Sequence, residues 1–416
     1  MAVTLVFGLL FLSLGLTAWR MTHDALHPAA WMPLTWGVVL VGIGSADGLG
    51  YLQADIAACA TFAAGITCFI AGAIFSTRVT DNFSYFTSSE INYKRLTIAV
   101  LLLHAVMLPL WWQEINQIAG ETEDLAALAF QLRVLSVSQG ETVGPLVGNY
   151  LVLGFIVSPL LALGTARGRL PLILYLTPTL IWIGTNLLTN GRSALVQLII
   201  ALVYIRLRYG KKLNSSTLIG IVILFITIFS AGAILVSKGD VSEDSEADEI
   251  ASAVTTNLLD YTLQGPILFS RYMDAPERLN PSWDALVFPC TLASKLDLCK
   301  AGPLHQEFLE FTHDGRIGNV YTVFFSIFPK YGWAGLILLM ALYGAWATFH
   351  HKKAQNPRSL IHILLASYLF SAIVLSIFSD LFLPSLYFFI KTCLVCLFIQ
   401  HAFPAKSRID GAHARP

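Results

Sequence analysis

Charged side chains are scarce in this chain. Asp, Glu, Lys and Arg make up 12% of the 416 residues, whereas the AVILMFWYC set makes up 56%. An ordinary soluble domain carries roughly 25% charged residues. So much apolar surface cannot be hidden inside a globule of this length, which excludes a string of soluble domains. Cysteine is thin as well: six residues, without dense spacing, exclude a small disulfide-framed scaffold. Lys+Arg and Asp+Glu balance at 26 each, which gives no reason to expect a nucleic-acid partner. No internal repeat is evident, which disfavours an inverted-repeat transporter.

Long apolar runs are what the chain does have, and the mean hydropathy is +0.67. Hydrocarbon about 30 Å thick needs roughly 20 apolar residues per helix. Eleven runs qualify: 2–19, 30–50, 56–76, 96–114, 145–163, 170–188, 193–207, 216–236, 332–349, 359–378 and 381–400. The first lacks Lys or Arg ahead of its apolar core, so it reads as a span and not as a secretion signal. The expected fold is therefore an all-α, polytopic membrane protein with the bilayer as its solvent.

Orientation follows from the basic residues. Sixteen of the 26 fall on one side under this count: Arg20; Arg78, Lys94 and Arg95; Arg167 and Arg169; Arg206, Arg208, Lys211 and Lys212; Lys352, Lys353 and Arg358; Lys406, Arg408 and Arg415. Short basic loops mark the cytoplasmic face, which places the N-terminus outside and the C-terminus inside. The organisation expected is an N-terminal bundle (1–236), a large external loop (237–318), and a C-terminal bundle with a short tail (319–416).

Connections as long as this loop are uncommon and usually functional or disordered. It holds 14 acidic and 6 basic residues. Lys238 to Glu249 reads as a solvated acidic stretch, and Trp283, Leu286, Val287, Phe288, Phe308, Leu309 and Phe311 as a small cap. Cys290 and Cys299 lie within the loop, where an oxidising exterior lets them pair or leaves them free. Residues 115–144 read as an amphipathic interfacial helix through Leu125, Leu128, Leu132 and Leu135.

Arg192 is the most informative single residue. It stands in Thr189-Asn190-Gly191-Arg192-Ser193, a very short external turn between apolar runs. A guanidinium that close to hydrocarbon needs water, protein or an anion, and its fork suits phosphate. The plainer alternative is an interfacial anchor that snorkels. Arg271 and Arg316 bracket the loop and suggest a polyanion such as pyrophosphate, although each can equally be a loop cation paired with Asp274 or Asp314. His305 and His313, with Glu307, Glu310 and Asp314, are titratable groups near membrane re-entry that can serve as a general base or stand simply solvated. Other patterns fail. His305-Gln-Glu307 is not followed in the loop by the paired cysteines a zinc deaminase needs, and Gly210-Lys-Lys lacks the rest of a phosphate loop. Cys393-Leu-Val-Cys396 lies within a span, and no metal-ligand cluster is convincing.

Three local patterns then occur in order: Thr189-Asn-Gly-Arg-Ser-Ala-Leu195; Tyr261-Thr-Leu-Gln-Gly-Pro-Ile-Leu-Phe269; and Asn319-Val-Tyr-Thr322 followed by Phe328-Pro-Lys-Tyr-Gly-Trp-Ala-Gly335. With many spans and one large external loop, the chain resembles the O-antigen polymerase (Wzy-type) family, and more closely its oligosaccharide repeat-unit polymerase branch. The similarity covers residues 180–345, and the first half by topology alone. Lys330 departs from it, since relatives often carry an acidic residue there.

The resemblance implies a bacterial inner-membrane glycosyltransferase of the C-type class, working without metal or cofactor. It would move a glycan from undecaprenyl pyrophosphate onto another lipid-linked repeat unit at the periplasmic face. It implies that Arg192, with Arg271 or Arg316, holds the pyrophosphate, and that His313 deprotonates the acceptor. Asn190, His305, Asn319 and Tyr321 would complete the substrate contacts, and a chain-length regulator and a flippase would be partners. An O-antigen ligase shares the donor, and a transporter of the same lipid-linked glycan is the competitor from another class. The transporter's expected mark is charges lining many spans, whereas spans two to eight contain few ionisable residues.

Overall fold

The structure is a computed structural model, and it describes residues 2–80, 90–120, 127–129, 131–132, 135, 143–189, 192–210, 247–274, 285–293 and 308–405. The helices are α1 (Ala2–Thr22), α2 (Pro28–Ser45), α3 (Ile56–Thr80), α4 (Tyr93–Ala119), α5 (Pro145–Ala166), α6 (Leu172–Leu188), α7 (Arg192–Tyr209), α8 (Ala247–Asp274), α9 (Val287–Ala293), α10 (Val323–Lys353), α11 (Leu360–Val374) and α12 (Leu386–Ala402). A short antiparallel hairpin, β1 (Leu309–Glu310) and β2 (Ile317–Gly318), precedes α10.

Among the described residues, eight helical segments are long and apolar enough to cross a membrane: α1 through α5, α10, and two that comprise α11 and α12 with their 3₁₀ turns. The protein is a multi-pass, all-α membrane protein, and its outward side chains show why. Leu9, Leu102, Ile173, Leu338 and Phe398 are all exposed, which only lipid can satisfy. Of the eleven expected spans, 170–188 is the helix α6, apolar but only 17 residues long, and 193–207 is the helix α7. The run 216–236 lies outside the described residues.

The chain divides into two compact units that cut across the contiguous bundles expected from sequence. The first comprises residues 1–84, 246–355 and 365–389, the second 85–245, 356–364 and 390–416. In the first, an aromatic knot forms the core. Trp36 packs on Phe62 at 4.7 Å and on Phe324 at 4.8 Å, and Phe62 packs on Phe269 at 5.2 Å between ring centres. All four are fully buried. Trp36 Nε1 donates to Ser376 Oγ at 2.9 Å, so the indole is not left polar and unpaired. Nearby, the buried Asp380 carboxylate accepts from Ser326 Oγ (2.7 Å), Tyr343 OH (2.8 Å) and the Phe382 amide (2.9 Å). Three donors are what a carboxylate needs to stay in such surroundings.

Phe269 belongs to α8, which the sequence reading assigned to an external loop. The structure instead buries Leu263, Ile267, Leu268 and Phe269 in this core, and α8 contacts α2 and α3. The Gln264-Gly265-Pro266 motif is a packing device: a Cβ on Gly265 would stand 2.4 Å from the Ile377 carbonyl oxygen. The second unit has its own core. Trp111 and Ile115 of α4 meet Leu128, Leu132 and Val147, so two of the four leucines expected at the membrane interface make protein contacts.

At Gly332 α10 breaks, with φ 57° and ψ −154°, a conformation essentially confined to glycine. A Cβ there would meet nothing within 4 Å, so the cost of substitution is backbone strain alone. Gly332→Ala is expected to destabilise the protein by about 1–3 kcal/mol, measurable as a lowered unfolding temperature in detergent. An unchanged temperature would contradict the strain.

Candidate functional site

The first unit builds a polar site where the hairpin meets α8. The chain reverses through Thr312-His313-Asp314-Gly315, and Gly315 takes a positive φ of 83°. Residues 50–52 lie along the hairpin as a third edge. Tyr51 bridges Thr312, the Leu52 amide donates to the Phe311 carbonyl (3.1 Å), and the His313 amide donates to the Gly50 carbonyl (2.8 Å). These backbone bonds fix Tyr51 and Arg316 against α8.

Asp260 of α8 is the meeting point. Its Oδ1 accepts from Tyr51 OH at 2.6 Å and from Arg316 Nη1 at 2.5 Å. The Arg316 guanidinium also lies 5.0 Å from the Tyr51 ring centre and 5.8 Å from that of Phe311. Its Nε reaches Asp314 at 3.4 Å. Burial, followed by the hydrogen bond to Asp260, pushes the Tyr51 phenol up to about 12, so it remains a proton donor at any physiological pH. A hydrogen bond with Thr312, with help from the Arg316 charge, holds the Asp314 carboxyl below the usual range.

Tyr51 and Arg316 line a cavity of about 510 Å³ together with Leu49, Ser252, Thr255, Thr256 and Leu259, and Asp260 holds both of them without lining it. The size suits a small ligand or one sugar-phosphate portion of a larger one. Its walls pair hydroxyls with one cation, a set that can hold an oxyanion, and the Asp260 carboxylate backs Tyr51 and Arg316 from outside the lining. Among the described residues no three His, Cys, Asp or Glu side chains converge as a metal cage.

Of the residues expected from sequence, Arg316 is in this site. His313 sits in the same turn but is exposed and does not line the cavity. Arg271 is exposed near the end of α8, eleven residues beyond Asp260 and so about 16 Å along the helix, and the structure does not bring it to Arg316. Asn319 is half-buried. Tyr321 is buried and stacked on Phe325 at 4.1 Å, a core position. Cys290 is buried and disulfide-bonded. Arg192 opens α7 in the second unit, and its side chain is not among the described ones. Asn190, Cys299 and His305 lie outside the described residues. Sequence reasoning missed Asp260 and Tyr51. Asp260 immediately precedes the Tyr261–Phe269 motif, which was the available signal; Tyr51 offered none.

No protein-family model, curated protein or solved structure matches the chain.

Proposed function

We propose that the protein is a glycosyltransferase that polymerises undecaprenyl-pyrophosphate-linked repeat units at the outer face of a bacterial inner membrane. The observation that carries the reading is the Arg316–Asp260–Tyr51 trio, of which Arg316 and Tyr51 line the cavity, together with the ordered motifs that resemble the polymerase family. The cavity's place supports it. Lys352 Nζ donates to the Thr77 carbonyl at 2.8 Å, so the basic ends of α3 and α10 meet, while the trio lies beside the opposite ends of the same two helices. With the basic ends cytoplasmic, the N-terminus is periplasmic, the C-terminus is cytoplasmic and the cavity opens on the periplasmic side.

In the proposed reaction an acceptor sugar hydroxyl attacks the anomeric carbon of the donor glycan. The new glycosidic C–O bond forms as the bond to pyrophosphate breaks, and undecaprenyl pyrophosphate departs as an anion. Asp260, hydrogen-bonded to the cavity-lining Tyr51 and Arg316, accepts the hydroxyl proton. Arg316 faces the developing phosphate charge.

Surface polysaccharide from a strain lacking the gene tests this reading. Single capped repeats are expected; a complete loss of attached glycan would instead indicate a ligase. Complementation refines it. If Arg192 grips phosphate with its planar fork, Arg192→Lys restores few long chains and Arg192→Ala none. Wild-type chain lengths with the lysine variant would reduce Arg192 to a membrane anchor.

A further inference from the structure

The second unit contains another charged cavity, of about 480 Å³, which the proposed reaction does not use. Four arginines line it: Arg167 and Arg169 from the turn between α5 and α6, Arg208 from the last turn of α7, and Arg358 just before α11. A single carboxylate, Glu90, opposes them. The formal charge of these five side chains is therefore +3, in a protein whose total charge is zero.

The frame is built and not a chance gathering of surface cations. Arg169 pairs with Glu90 at 2.8 Å. The Arg167 guanidinium stands 5.4 Å from the Tyr209 ring centre and donates to the Pro357 carbonyl, which ties the α5–α6 turn to the segment that carries Arg358. Gly168, with φ 69°, makes the tight turn that lets Arg167 and Arg169 share the cavity. Arg169, then the charges of Arg358 and Arg167, hold the Glu90 carboxyl below its usual range. Guanidinium groups near the carboxyl ends of α5 and α7 favour those helix dipoles. That accounts for one cation at each end, not for four around one opening.

We propose that this cavity binds a phosphate group, and specifically the headgroup of an anionic phospholipid at the membrane surface. Guanidinium forks match phosphate oxygens in pairs, and basic pockets between membrane helices attract anionic headgroups. The cavity lies where α4 and α11 begin and where α5 and α7 end, which is headgroup level for these spans.

The full-length protein, purified in detergent, can be titrated in native mass spectrometry with cardiolipin, phosphatidylcholine and inorganic pyrophosphate. Cardiolipin is expected to remain bound under activation that strips phosphatidylcholine. Arg358→Gln, an exposed linker position, should lower cardiolipin retention several-fold, and Arg208→Gln with Arg358→Gln at least tenfold. Arg-dependent retention of pyrophosphate without lipid selectivity would keep the phosphate site and assign it to a soluble ligand. No preference for cardiolipin and no pyrophosphate binding by the wild type would overturn the proposal, even if neither variant folds. Retention unchanged in the folded variants would overturn it equally.

Discussion

Gly344→Val is expected to abolish accumulation of folded protein. A Cβ built on Gly344 stands 1.9 Å from the Phe69 carbonyl oxygen and 2.8 Å from its carbon. The contact is reciprocal, because a Cβ on Gly72 stands 1.9 Å from the Ala341 carbonyl oxygen. Both obstacles are backbone, so no rotamer change relieves them; α3 and α10 would have to separate. Helices in lipid gain little from the hydrophobic effect on association, and close packing through small residues takes its place. Overpacking a core costs about 1–3 kcal/mol even where side chains can yield. Separating two helices that carry the aromatic knot should exceed that, against a typical total stability of about 5–15 kcal/mol. Gly184→Ala is the control, since a Cβ there meets nothing within 4 Å. Size-exclusion profiles of fluorescent fusions would show loss of the monodisperse peak for Gly344→Val and Gly72→Val and its retention for Gly184→Ala. A normal peak for Gly344→Val would mean that the interface is wrong.

How far the sequence foreshadowed this structure depends on the length of each signal. Spans are legible because lipid demands about 20 apolar residues in a row, and α1 to α6 fall where the runs predict. The helix α8 is different. Asp260, Thr262, Gln264 and Ser270 interrupt its apolar residues, so its hydropathy resembles a loop even though Leu259, Leu263 and Ile267 repeat every fourth position. That periodicity was the missed clue to a helix buried on one face. Arg316 stood out as a cation on a face poor in them. Its carboxylate lies 56 residues away, a separation that only tertiary contact reveals. The glycine seam was partly readable, because Gly65 and Gly72 recur at a seven-residue interval along one face of α3.

The second large effect concerns the trio itself. If Asp260 takes the acceptor proton, Asp260→Asn preserves size and still accepts hydrogen bonds but cannot act as a base at neutral pH. A general base contributes on the order of 10²–10⁴ in rate, so a loss of at least about 100-fold is expected. Arg316→Lys keeps the charge yet loses the fork that spans a carboxylate and a phosphate, and it should fall nearly as far. Tyr51→Phe removes one hydrogen bond to Asp260 and leaves both charges, so its effect should be smaller. A clamp that only fastens the hairpin to α8 would behave otherwise: the same variants would unfold at lower temperature, while the surviving protein kept its rate.

Proteoliposomes containing the purified protein and undecaprenyl-pyrophosphate-linked repeat units separate these outcomes directly. The wild type should convert single units into a ladder of longer glycans with stoichiometric release of undecaprenyl pyrophosphate, and an equal amount of folded Asp260→Asn protein should extend them at least about 100-fold more slowly. A wild type that forms no ladder, or an Asp260→Asn protein that forms it at the wild-type rate, would contradict the account.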